Sequence, residues 1–136
     1  MPVTLSTTPP GITEFISMRA ACGWGEISHD MARRALDQAV ATVTAHDGDR
    51  LVGFGRVVGD GVLYFYVQDV IVAPSHRGQG IADAIVTRLL EEIAPLAGPG
   101  STIGLMAAKG VEPLYERFGF HRRPTDSLGA GMTKLC

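Results

Sequence analysis

The chain predicts a mixed α/β (α+β) domain: a mostly antiparallel central sheet flanked by helices. Three observations carry this. Residues 41–72 are rich in β-branched and aromatic side chains, broken by Asp-Gly-Asp (47–49) and Gly-Asp-Gly (59–61), as expected for two hairpins and a three-stranded meander. Ile81, Ile85, Leu89 and Ile93 then recur every four residues beside Ala82, Val86 and Leu90, one apolar helical face about three turns long. Finally, 136 residues are enough for one core and too few for two.

In chain order, a short strand at Val3–Ser6 ends in Thr-Thr-Pro-Pro-Gly (7–11) and precedes a helix over Ile12–Ala21. Ser28 is a suitable N-cap for a second helix, residues 29–39, with Asp30 in its first turn. Strands follow at Ala41–His46, Leu51–Val58 and Val62–Val72, the last stopped by Pro74, which cannot continue a ladder. Pro95 and Ala-Gly-Pro-Gly (97–100) close the long helix. Thr102–Met106 reads as a strand, and Val111–Phe118 as a short helix ended by Gly119, a residue suited to a left-handed cap. Phe120 onward and Gly131–Leu135 are expected to supply two final strands.

Composition narrows the function. With 46% hydrophobic and 19% charged residues the chain is ordinarily globular. A net charge of −2 argues against nucleic-acid binding, and no apolar run is long enough for a membrane span. The N-terminus lacks the pattern of a signal peptide, and the two cysteines, Cys22 and Cys136, have no metal or disulfide spacing. The expectation is a reduced cytoplasmic protein. His29, His46, His76 and His121 also lack ligand spacing, so no metal is expected.

Between the last strand of the meander and the long helix lies Arg77-Gly78-Gln79-Gly80-Ile81-Ala82, a turn poor in side chains. The first turn of a helix offers unpaired N–H groups and the positive end of its dipole, and glycine lets a bulky anion approach them. Such a turn can seat a phosphate; equally, the glycines can simply shape a tight connection. A Walker loop is excluded because Ile81-Ala82-Asp83 lacks Lys-Ser/Thr. A dinucleotide fingerprint is disfavoured by Asp83 and by the lack of an acidic residue about 20 positions on.

Read as Arg/Gln-x-x-Gly-x-Gly/Ala after a strand ending in Val-x-Pro, this turn resembles the cofactor motif of the GCN5-related N-acetyltransferase (GNAT) family. Leu114-Tyr115-Glu116-Arg117-Phe118-Gly119-Phe120 resembles that family's Tyr-x-x-x-Gly-Phe, and the order of elements agrees along nearly the whole chain. The resemblance implies acetyl-CoA as co-substrate, with its pyrophosphate on Arg77, Gly78, Gln79, Gly80, Ile81 and Ala82. Its pantetheine arm would pair with Val70, Ile71 and Val72 in the manner of an added strand. Tyr115 would protonate the departing thiolate while an amine attacks the thioester directly.

Two departures from the family pattern stand out. Members often carry a Glu or His base on the central strand, on the face that alternation assigns here to Tyr64, Tyr66, Gln68, Val70 and Val72. None of these is a base. Asp69 is the one ionised side chain in the strand and the candidate base, although alternation turns it to the opposite face and favours a structural role unless a bulge intervenes. Glu26, Glu112, water or an amine already neutral on arrival are the alternatives. The second departure is Ala108, where many members place an Asn.

By the same resemblance, the two N-terminal helices and their loop wall the acceptor, which points to Trp24 and Glu26 opposite Tyr64, Tyr66 and Gln68. Such a lining suits a small-molecule primary amine with an apolar body. A protein or peptide acceptor and a non-catalytic acetyl-CoA-binding module are the alternatives, and a homodimer is the expected assembly if the chain pairs as family members commonly do.

Overall fold

The computed structural model describes residues 2–136. The elements are β1 (Val3–Ser6), α1 (Ile12–Ala21), α2 (His29–Asp37), β2 (Ala41–Asp47), β3 (Arg50–Gly59), β4 (Tyr64–Val72), a 3-10 turn (Pro74–His76), α3 (Ile81–Ile93), β5 (Thr102–Leu105) and α4 (Glu112–Glu116). The strands form one sheet in sequence order, β1-β2-β3-β4-β5. Every pairing is antiparallel except β4 with β5, which α3 joins as a crossover.

Each face of the sheet is covered. On one, Ile81, Ile85, Leu89 and Ile93 of α3 pack on Val43, Ala45, Val52, Val57, Phe65 and Val67. The helix lies so close that a Cβ on Gly53 would stand 2.9 Å from Ile85 Cδ1, and one on Gly55 2.7 Å from Ile85 Cγ2. On the other face Phe15 of α1 meets Phe54 of β3 edge-on, with centroids 5.4 Å apart, beside Ala32 and Leu36 of α2. Ser28 caps α2 as expected, its Oγ accepting from Met31 N at 3.1 Å.

Three expectations are corrected. Val62 and Leu63 belong to the turn: Asp60 Oδ1 accepts from the N–H groups of Val62, Leu63 and Tyr64, which bends the chain before the ladder begins. The last helix is shorter than 111–118, opening at Glu112 with Pro113 in its first turn. The two strands expected after Phe120 do not form. Residues 121–136 are exposed throughout and have no regular structure, so their few apolar side chains have no face to bury. They are tied down locally, by Arg122 to Glu116 at 2.8 Å, Arg123 Nε to Gly129 O at 2.6 Å and Thr133 Oγ1 to Met106 Sδ at 3.6 Å.

Candidate active site

The site is created where β4 and β5 part. Their parallel pairing runs from Tyr64↔Thr102 to Val67↔Leu105 and stops there. β4 continues to Val72 while the other chain leaves the sheet through Met106, Ala107 and Ala108. Between them opens a cleft of about 330 Å³ lined by Val67, Gln68, Asp69 and Val70 on one side, Met106 to Ala108, Val111 and Tyr115 on the other, with Arg19 and Trp24 closing one end. A larger open recess of about 430 Å³ carries Asp37 and Glu92 but none of the motif residues.

A β-bulge shapes the β4 wall. Phe54 pairs with Ile71 and Arg56 with Gln68, so that Gly55 faces both Asp69 and Val70. Asp69 takes the left-handed conformation, φ 55°, unusual for a non-glycine residue. The bulge breaks the alternation expected for this strand. Val70 and Val72 join the α3 side of the core, whereas Asp69 turns towards α1. There its carboxylate is held at both oxygens: Arg19 Nη1 donates to Oδ1 and Arg56 Nε to Oδ2, each at 2.6 Å. Arg56 Nη1 also donates to Ala35 O at 3.1 Å, tying β3 to α2. Asp69 is 3% exposed.

Tyr115 is delivered by α4 and steadied by Phe120, whose ring meets it edge-on at 6.0 Å. Gly119, at φ 91°, makes the sharp return that brings Phe120 back. Burial pushes the Tyr115 phenol above its ordinary value, so it stays protonated across the neutral range.

The Arg77–Ala82 turn has the shape an anion seat requires. Gly78 and Gly80 both have positive φ, 75° and 79°, and Gly80 is the N-cap of α3. Ala84 N is the first to bond back, to Gly80 O at 3.1 Å, which leaves the N–H groups of Ile81, Ala82 and Asp83 without intrahelical partners. A Cβ at either glycine would meet nothing within 4 Å, so the backbone is open to a ligand. Arg77 Nε donates to Val72 O at 3.2 Å, and His76 is drawn away by Asp47 at 2.8 Å.

Of the residues singled out in the sequence, Trp24, Gln68, Asp69, Val70 and Tyr115 meet at the cleft. Tyr64 is 64% exposed and pairs with Thr102, at the end of β4 remote from the splay. Tyr66 is partly buried, Ile71 sits opposite Phe54, and Glu26 lies in the exposed α1–α2 loop. None of these four lines the cleft. Arg19 was missed, although the sequence carried a signal: it follows Ile12, Phe15 and Ile16 at helical spacing, a cation on an apolar face.

A strand splay beside a backbone anion seat is an arrangement suited to a long phosphorylated thioester. The model of the acetyltransferase (GNAT) domain matches residues 13–133, and the chain belongs to this family. It is 34% identical over 110 residues to the chloroplastic serotonin N-acetyltransferase 2 of rice, covering 77% of this chain and 54% of that protein. The chain thus spans about half the length of this curated relative. A Staphylococcus aureus structure described as a "probable acetyltransferase" superposes with a TM-score of 0.89 at 30% identity, covering 99% of this chain and all of that one. A GNAT family protein of Streptococcus pneumoniae superposes at 0.82 with 26% identity, covering 99% and 98%.

Proposed function

We propose that the chain moves an acetyl group from acetyl-CoA to the primary amine of a small molecule. The observation that carries this reading is the meeting of Tyr115 with the Asp69–Val70 bulge across one cleft. The family's use of acetyl-CoA fits the residues present. The N–H groups of Ile81, Ala82 and Asp83 suit the pyrophosphate, and β4 beyond Val67 has lost its β5 neighbour and suits the amide-bearing arm. The bound thioester supplies an acyl carbon activated toward amines.

In this reading the chain's own groups orient and donate. Backbone N–H groups of β4 that turn toward the side β5 has left polarise the carbonyl where negative charge develops. Tyr115 protonates the leaving sulfur, a thiolate whose conjugate acid lies near 8.5. No side chain of the cleft serves as a free base, since both Asp69 oxygens are engaged by guanidiniums. The acceptor is therefore read as attacking as the neutral amine, its proton passing to water.

The serotonin acetyltransferase relative supports a small aromatic acceptor, and Trp24 at the cleft mouth agrees with one. A protein acceptor is the second reading, favoured by a soybean relative named histone acetyltransferase, 31% identical over 80 residues. Thiol release from acetyl-CoA, measured across aromatic and aliphatic amines and a lysine peptide, tests both. Release with small amines supports the proposal. Release with the peptide alone selects the second reading, and release no faster than hydrolysis with every acceptor defeats both.

A further inference from the structure

We propose that Arg19 selects the acceptor, and that the preferred amine carries a carboxylate. This rests on the acetyl-transfer reading and narrows it to acceptors of amino-acid type.

The charge at this end of the cleft does not balance. Two guanidiniums, of Arg19 and Arg56, face the single carboxylate of Asp69. Among the described lining residues no other acidic side chain is present. Arg56 stands behind Asp69, outside the lining, and its claim on the carboxylate leaves the cluster with one positive charge in excess, on the side where Arg19 borders the cleft. A simple ammonium meets repulsion there, whereas an acceptor bearing a carboxylate brings the missing charge.

The two arginines are not equivalent. Arg56 is 13% exposed and is committed to Asp69 and Ala35 O. Arg19 lines the cleft, is 22% exposed, and makes one hydrogen bond, from Nη1; its Nε is buried without a partner. A guanidinium has five N–H donors in a planar fork matched to a carboxylate. In Arg19 the buried Nε–H is out of a ligand's reach, which leaves both N–H groups of Nη2 and the second of Nη1 uncommitted. The group is also held in place, with Cζ 5.7 Å from the Trp24 ring centroid and 5.9 Å from that of Phe15. A fixed, under-used guanidinium at a cleft wall is a preorganised carboxylate receptor. One excess charge matches one carboxylate, where a phosphate dianion would overshoot.

The test uses the full chain with coenzyme A and two probes of one shape, 3-phenylpropionate and its uncharged amide. Calorimetry should show the acid binding about tenfold tighter or more, the scale of a charge-assisted hydrogen-bonded pair. Arg19→Gln should abolish the difference and Arg19→Lys restore part of it. With acetyl-CoA, phenylalanine should have a lower KM than phenethylamine. The wild-type comparison stands even if the variants fail to fold. An amide that binds as well as the acid overturns the proposal, as does phenyl phosphate binding more tightly than the acid. Acetylation of phenethylamine as efficient as that of phenylalanine overturns it while leaving acetyl transfer intact. Acid-selective binding without thiol release from any amine supports the receptor and defeats the acetyl-transfer reading.

Discussion

Arg56 donates from Nε to Asp69 Oδ2 at 2.6 Å across the bulge at which Gly55 faces two residues of β4. With Arg19 on the other oxygen, Asp69 becomes the joint between α1, β3 and β4. Asp69→Asn leaves two partly buried guanidiniums without their counterion. Urea denaturation should show a loss of about 3–5 kcal/mol, the cost of breaking a buried pair by removing one partner. A variant of full stability whose kcat alone collapses would instead identify Asp69 as the base.

Tyr115→Phe keeps the ring and its contact with Phe120 and removes only the hydroxyl. kcat should fall by roughly a hundredfold or more, as for loss of a general acid, with acetyl-CoA binding and melting temperature nearly unchanged. Because burial raises the phenol, the alkaline limb of the wild-type rate should lie above the ordinary tyrosine value near 10. A pH–rate profile checks the position of the limb, and an unchanged Tyr115→Phe rate would remove the acid role.

Gly80→Ala forces a side chain onto a residue at φ 79° in front of α3. The left-handed conformation costs an L-residue about 1–2 kcal/mol. The new methyl also lies where a pyrophosphate would approach the backbone. KM for acetyl-CoA should rise while kcat at saturation is largely kept; initial rates at varied acetyl-CoA separate the two.

Gly55→Ala tests how tightly α3 is seated. The added Cβ would come within 2.7 Å of Ile85 Cγ2 and 3.0 Å of Leu89 Cδ1. Overpacking of this kind costs about 1–3 kcal/mol. Chemical denaturation should show that loss, and acetyl-CoA affinity should fall with it because the same helix begins at the anion seat.

Hydrogen bonding to His76 holds the Asp47 carboxyl below the usual carboxylate range, so it stays ionised further into acid. A depressed carboxylate stabilises the fold above its unfolded value, near 3.9, and that contribution disappears as pH falls through the lower folded value. Asp47→Asn should flatten the acid side of the stability–pH curve below about pH 4. Thermal melts from pH 7 downward measure it; identical wild-type and variant slopes would refute the linkage.

What was legible in the sequence is local. The four-residue spacing from Ile81 to Ile93 required a helix, and Asp60 and its glycines required a turn, although the Asp60 side chain moved the start of β4 from Val62 to Tyr64. The turn before α3 was legible because it consists of backbone, and Gly78 and Gly80 announce backbone freedom directly. Strands were expected after Phe120 because single residues there resemble strand formers. A strand needs an edge and a face to bury, and residues 121–136 find neither.

The sequence alone therefore determined the elements from β1 to α4, the glycine turn before α3 and the place of Tyr115 on the short last helix, since each depends on residues a few positions apart. The tertiary structure decided which side of β4 Asp69 faces. Alternation assumes one residue opposite one, but a bulge belongs to the pairing of two strands and cannot be read from either alone. It brought Asp69 to Arg19, 50 residues away, and so decided which charged groups meet at this end of the cleft.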